Sequence, residues 1–134
     1  MTTLDSLDRN MPILIVDDFA TMRKVVRNCL RQLGFVNVTE AEDGKIALDR
    51  LRESDFGFVI SDWQMPNMMG IDLLKTLRND KRYKSIPFLM VAAEAQKESV
   101  AQVTKLDASS YIVKPFTAHV LQQKMQSIFC ENSK

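Results

Sequence analysis

The stretch Ile13-Leu14-Ile15-Val16-Asp17-Asp18-Phe19 decides the fold. Four aliphatic residues run together without alternation and end on two acids. A strand covered on one face alternates apolar and polar residues; an unbroken run fits a strand buried on both faces of a parallel sheet. Phe19, Met22, Val25, Val26, Cys29, Leu30 and Leu33 then follow the three-four spacing of an amphipathic helix. Gly34 ends it, in the place of a left-handed C-terminal cap. The unit is therefore one apolar strand and one helix.

That unit recurs along the chain. Short apolar runs fall at 12–16, 37–41, 58–61, 88–92 and 110–113. Between them, Ile46, Ala47, Arg50 and Leu51 mark a helix after Asp43-Gly44, and Ile71, Leu74 and Leu77 mark another. A weaker helix near 97–106 is anchored by Val100 and Val103. The last starts at a Thr117 cap and carries Val120, Leu121, Met125, Ile128 and Phe129. Five such units predict an α/β fold, a flavodoxin-like (βα)5 doubly wound parallel sheet with strand order 2-1-3-4-5. With 134 residues the chain has room for one domain, read as 11–134 behind a polar N-terminal extension at 1–10.

Composition excludes several classes. Lys and Arg number 18 against 17 Asp and Glu, a net charge of +1, unlike a strongly basic nucleic-acid binder. No apolar run approaches the length of a membrane span, and the first ten residues do not form a secretory signal. A cytoplasmic protein is expected, with Cys29 and Cys130 as unpaired thiols in a reducing compartment. The charge is divided unevenly: residues 1–67 hold 11 acids and 8 bases, residues 68–134 hold 6 acids and 10 bases.

Ligands of such sheets bind beyond the carboxyl ends of the strands, where the strand order reverses, between strands 1 and 3. Asp17 and Asp18 follow strand 1 there, and Asp62 follows strand 3. Three carboxylates brought together repel, and a hard divalent cation such as Mg2+ relieves the repulsion. The plain alternative, that one acid only caps the first helix, needs a single carboxylate. Lys114 ends strand 5 before Pro115; lysine is seldom buried unless paired, so it is expected to face the acids, helped by a cis Lys114-Pro115 bond.

Together, Asp17-Asp18, Asp62, Met65-Pro66-Asn67 and Val113-Lys114-Pro115-Phe116 resemble the receiver domains of response regulators, in particular the CheY-like chemotaxis branch. The resemblance covers nearly the whole chain beyond residue 10. It implies that Asp62 accepts a phosphoryl group. It also implies that Asp18, Asp62 and the backbone carbonyl of Gln64 bind Mg2+ (Mn2+ or Ca2+ can substitute), with Asp17 acting through water. Lys114 would contact the phosphoryl group. The implied donor is a CheA-like histidine kinase and the implied target a FliM-like flagellar switch protein, with a phosphatase as a further candidate partner. No nucleic-acid or membrane partner is expected, and a monomer is. Such a protein is not an enzyme beyond Mg2+-dependent self-phosphorylation and slow self-dephosphorylation. With only four residues after the last helix pattern, no output domain is expected.

Three departures from the family stand out. Ala92 occupies the place of the usual Thr or Ser, whose hydroxyl would bond the phosphoryl group and draw the loop inward. Phosphorylation should survive, while its coupling to the switch residue Tyr111 should weaken. Gln64 replaces the usual Asn and, with Glu94, should tune hydrolysis. Gln96 replaces a lysine on the expected partner face, which also carries Ala95, Lys97, Tyr111, Val113 and Lys124. A phosphate sink or a non-motor regulator is the alternative output. Two other classes fit less well. A flavodoxin needs a hydroxyl- and glycine-rich phosphate loop where this chain has Asp17-Asp18, and an aspartate phosphohydrolase needs a second acid where it has Gln64.

Overall fold

The computed structural model describes residues 7–104 and 110–132, with the side chains of 103–104 and 130–132 outside that description. Five parallel strands form one sheet in the order β2-β1-β3-β4-β5. The strands are β1 (Ile13–Val16), β2 (Val38–Ala41), β3 (Phe58–Asp62), β4 (Phe88–Ala93) and β5 (Ser110–Lys114). The helices are α1 (Ala20–Gln32), α2 (Gly44–Glu53), α3 (Gly70–Arg78), α4 (Lys97–Thr104) and α5 (Ala118–Asn132). A 3-10 turn, Glu94–Gln96, leads into α4. This is the flavodoxin-like arrangement expected from the sequence.

The unbroken apolar runs find their explanation in two cores. Ile13, Ile15, Phe58, Ile60, Leu89 and Val91 point to one face, against Val26, Cys29 and Leu30 of α1 and Leu121, Met125 and Ile128 of α5. Leu14, Val16, Val59, Phe88 and Met90 point to the other, against Ala47 and Leu51 of α2, the leucines of α3 and Val100 of α4. Each strand alternates faces, and both faces are covered, so both alternating sets are apolar. The two edge strands, β2 and β5, are partly exposed along most of their length.

Several expectations shift in detail. Phe19 is the N-cap of α1 and is 67% exposed, because it sits above the sheet end rather than over a face. Val25, Val120 and Arg50 also face outward, since each lies at the margin of its helix's buried stripe. Strands β3, β4 and β5 each run one residue further than the apolar pattern: Asp62, Ala93 and Lys114 keep ladder geometry, with Asp62 beside Val91 and Ala93 beside Lys114. Gly34 adopts φ +95°, the left-handed conformation its capping role requires. Asp43 caps α2 by accepting from the Ile46 N–H, and Thr117 accepts from the Val120 N–H. His119 is exposed on α5. Cys29 is free and buried; Cys130 and Val103 have side chains outside the described set, as does Leu106 altogether. Among the described residues no helix is long and apolar enough to cross a membrane.

Candidate functional site

The carboxyl ends of β1 and β3 carry the acids. Asp17 is 3% exposed and Asp62 5%, while Asp18 faces solvent. Their carboxylate oxygens lie within 4.8 Å of one another. Backbone geometry places them. The Asp17 N–H donates to Ala41 of β2, and the Asp17 carboxylate accepts from the Phe19 N–H at 2.9 Å, closing the turn into α1. Asp17 thus takes part in starting the helix while staying in the acidic cluster. Arg23 on α1 donates to the Asp17 carbonyl at 2.6 Å. It also pairs with Glu40 at 2.9 Å, and Arg27 reaches the same carboxylate at 2.6 Å. The β3 end is held as tightly. A Cβ on Gly70 would come 2.3 Å from the Asp62 carbonyl oxygen, so only glycine lets α3 begin there. The Gly70 N–H donates to Trp63, and the Trp63 N–H to Val91.

Burial makes the cluster costly. Burial above all, opposed by the Phe19 N–H and aided by the Asp62 charge, raises the Asp17 carboxyl to about 6. Burial also raises Asp62 above the ordinary carboxylate range, against the pull of Lys114. Lys114 reaches the cluster across the sheet, its Nζ 3.4 Å from Asp62 Oδ1, and the Lys114-Pro115 peptide is cis. One ammonium against three carboxylates leaves negative charge in excess. An all-oxygen set of this charge, partly buried and open on one side, fits a hard cation that keeps water ligands. Asp17, Asp18 and Asp62 would hold the ion.

The cleft above the acids is lined by Phe19, Gln64, Met69, Ala93 and Gln96 as well as by Asp62 and Lys114. Here the structure departs from one sequence expectation. Gln96 does not project onto a partner face. Its Oε1 accepts from the Ala93 N–H at 3.0 Å and its Nε2 donates to Gln64 Oε1 at 2.7 Å. Glu94, expected with Gln64 to tune hydrolysis, is exposed and pairs with Lys97 at 3.8 Å. Both follow from the 3-10 turn, whose tighter winding carries residue 94 outward and residue 96 back over the strand end. No periodicity signal in the sequence marks that turn. Ala92, fully buried, presents only a methyl group and packs in the core with Tyr111 at its edge. Tyr111 is half-buried under Lys124, whose ammonium lies 5.0 Å from the ring centre. Ala95 and Lys97 are exposed, and Val113 partly so.

Comparison with known proteins agrees with this geometry. Residues 13–126 match the response regulator receiver domain. The chain is 53% identical over 123 residues to the chemotaxis protein CheY-3 of Vibrio cholerae, covering 92% of this chain and 95% of that protein. It is 50% identical over 119 residues to the chemotaxis protein CheY of Pseudomonas aeruginosa, covering 89% and 96%. The crystal structure of the chemotaxis response regulator CheY4 of Vibrio cholerae superposes with a TM-score of 0.79 at 32% identity, over 89% of this chain and 98% of that one. Matched from β1 into α5, and with its acids and lysine gathered at the sheet's switch point, the chain belongs to the response regulator receiver domain family and is CheY-like.

Proposed function

We propose that this protein is a chemotaxis phospho-switch. Asp62 accepts a phosphoryl group from a CheA-type histidine kinase, and the signal passes to a FliM-type flagellar switch protein. The observation that carries the reading is a buried carboxylate, Asp62, with a cationic side chain 3.4 Å away and two further acids beside it. Such a carboxylate is a nucleophile that needs no general base, because Lys114 and a bound cation oppose the effect of burial and favour its ionised form. An Asp62 oxygen bonds to phosphorus in line with the departing donor, which keeps the electron pair of the broken bond. Lys114 neutralises charge on the transferred group. A bound Mg2+ ion supplies the remaining positive charge. The protein turns over no external substrate beyond its own phosphorylation and slow hydrolysis, and it works as a cytoplasmic monomer.

The output runs through α4, β5 and α5, where Lys97, Tyr111 and Lys124 are presented. A weaker output, as a phosphate sink or toward a non-motor partner, is favoured by two observations: Ala92 offers no hydroxyl, and Gln96 is engaged over the site rather than on that face. Trp63, the single tryptophan, adjoins Asp62 and reports on the site. Millimolar Mg2+ should quench its fluorescence, and acetyl phosphate should change it further only when Mg2+ is present. No response to Mg2+ would overturn the metal assignment. Binding of a FliM N-terminal peptide with and without beryllofluoride separates the two outputs: a gain supports the motor switch, and none supports the sink.

A further inference from the structure

The Gln64–Gln96 pair joins two segments that follow neighbouring strands of the sheet. Gln64 lies on the β3–α3 connection, two residues past Asp62, and Gln96 lies on the turn between β4 and α4. Both side chains line the cleft mouth. An amide has one accepting and one donating end. The Ala93 N–H occupies the oxygen of Gln96, so Gln96 presents only its NH2, and Gln64 meets it with its oxygen. The orientation of the bridge is therefore set by the backbone of β4.

We propose that this bridge is a latch over Asp62, with Gln96 as its positioning residue, and that it gates traffic in both directions. The inference rests on Asp62 being the phosphoacceptor. In phosphorylation the donor's leaving group departs opposite the attacking Asp62 oxygen. In hydrolysis a water oxygen bonds to phosphorus opposite the departing Asp62 oxygen; the P–O bond breaks, its electron pair returns to the carboxylate, and the water protons leave on phosphate and solvent. Both routes use the same line outward from Asp62. Asp62 is almost wholly buried, so that line leads through the mouth that Gln64 and Gln96 span. A gate on one line speeds or slows both steps together and leaves the steady-state phosphorylated fraction unchanged.

The test uses Gln96→Ala, Gln64→Ala and the double variant, with acetyl phosphate and Mg2+ as the probe. Intact mass gives the labelling rate and, after donor removal, the decay rate. Gln64→Ala leaves the Ala93 N–H capped and so isolates the bridge from the turn. Each variant should speed labelling and decay by the same factor, about 2–10-fold, the range of one neutral hydrogen bond. The double variant should be no faster than either single one. Unchanged or slower decay in Gln96→Ala overturns the latch. So does faster decay without faster labelling, or multiplication of the two single effects. If the native chain takes no label on Asp62, the phosphoacceptor reading and the latch fall together, and that result is read from the native protein alone.

Discussion

The two sides of the sheet's carboxyl edge are built differently. On the β1–β3 side, every anchor has a backbone group at one end: Asp17 is fixed through Ala41, Phe19 and Arg23, and Asp62 is wedged against Gly70. On the β4–β5 side, side chains do the joining: Lys114 spans to Asp62, Gln96 spans to Gln64, and Ala92 contributes only a methyl group. The first side gathers charge in a fixed geometry, which suits chemistry. The second is joined by single contacts that can break and reform, which suits a switch. This division also gives meaning to the uneven charge of the chain, since the acids of the cluster come from its first half and Lys114 from its second.

The comparison can be broken on its rigid side first. Gly70→Ala forces a Cβ into the Asp62 carbonyl, a backbone atom that cannot turn away. Unfolding by denaturant should show a loss of about 3 kcal/mol, the upper part of the overpacking range. A loss near zero would mean the β3 end yields easily, and the contrast between the sides would be lost.

On the switching side, Ala92→Thr restores a hydroxyl at the end of β4. A hydrogen bond to a charged group is worth about 1.5–3 kcal/mol, so the beryllofluoride-dependent gain in partner-peptide affinity should rise roughly 10–100-fold. Equal gains in the two proteins would show that Ala92 does not limit coupling.

The third effect is smaller and follows pH. The folded-state pKa of Asp17 is raised from 3.8 to about 6. Without metal, this group's contribution to stability is greatest below the unfolded value and is lost as pH rises through about 6. Cation binding needs the ionised form, so Mg2+ affinity should fall by up to about tenfold per pH unit below that point. The rise in Tm on adding Mg2+ should therefore be larger at pH 7.5 than at pH 5. An equal rise at both would exclude Asp17 from the cation site.

The strands and the site were legible for one physical reason. Strands covered on both faces must be apolar at every position, so any charge at their ends stands out, as Asp17, Asp62 and Lys114 do. Residues on the loops obey no such rule. The resemblance puts Gln96 on the partner face, but the 3-10 turn at 94–96, which no sequence pattern marks, carries its side chain back over the strand end. Phe19 fitted the period of α1, but periodicity does not register that a helix's first residues overhang the sheet. The Gln64–Gln96 bond joins residues 32 positions apart, and no local pattern encodes it.

The central claim is that Asp62 carries the phosphoryl group. Acetyl phosphate with Mg2+, followed by peptide mapping of the labelled protein, tests it most directly. The account predicts one phosphoryl group, located on Asp62, absent when Mg2+ is removed and absent in Asp62→Asn. A phosphoryl group mapped to any other residue of the native protein would contradict it.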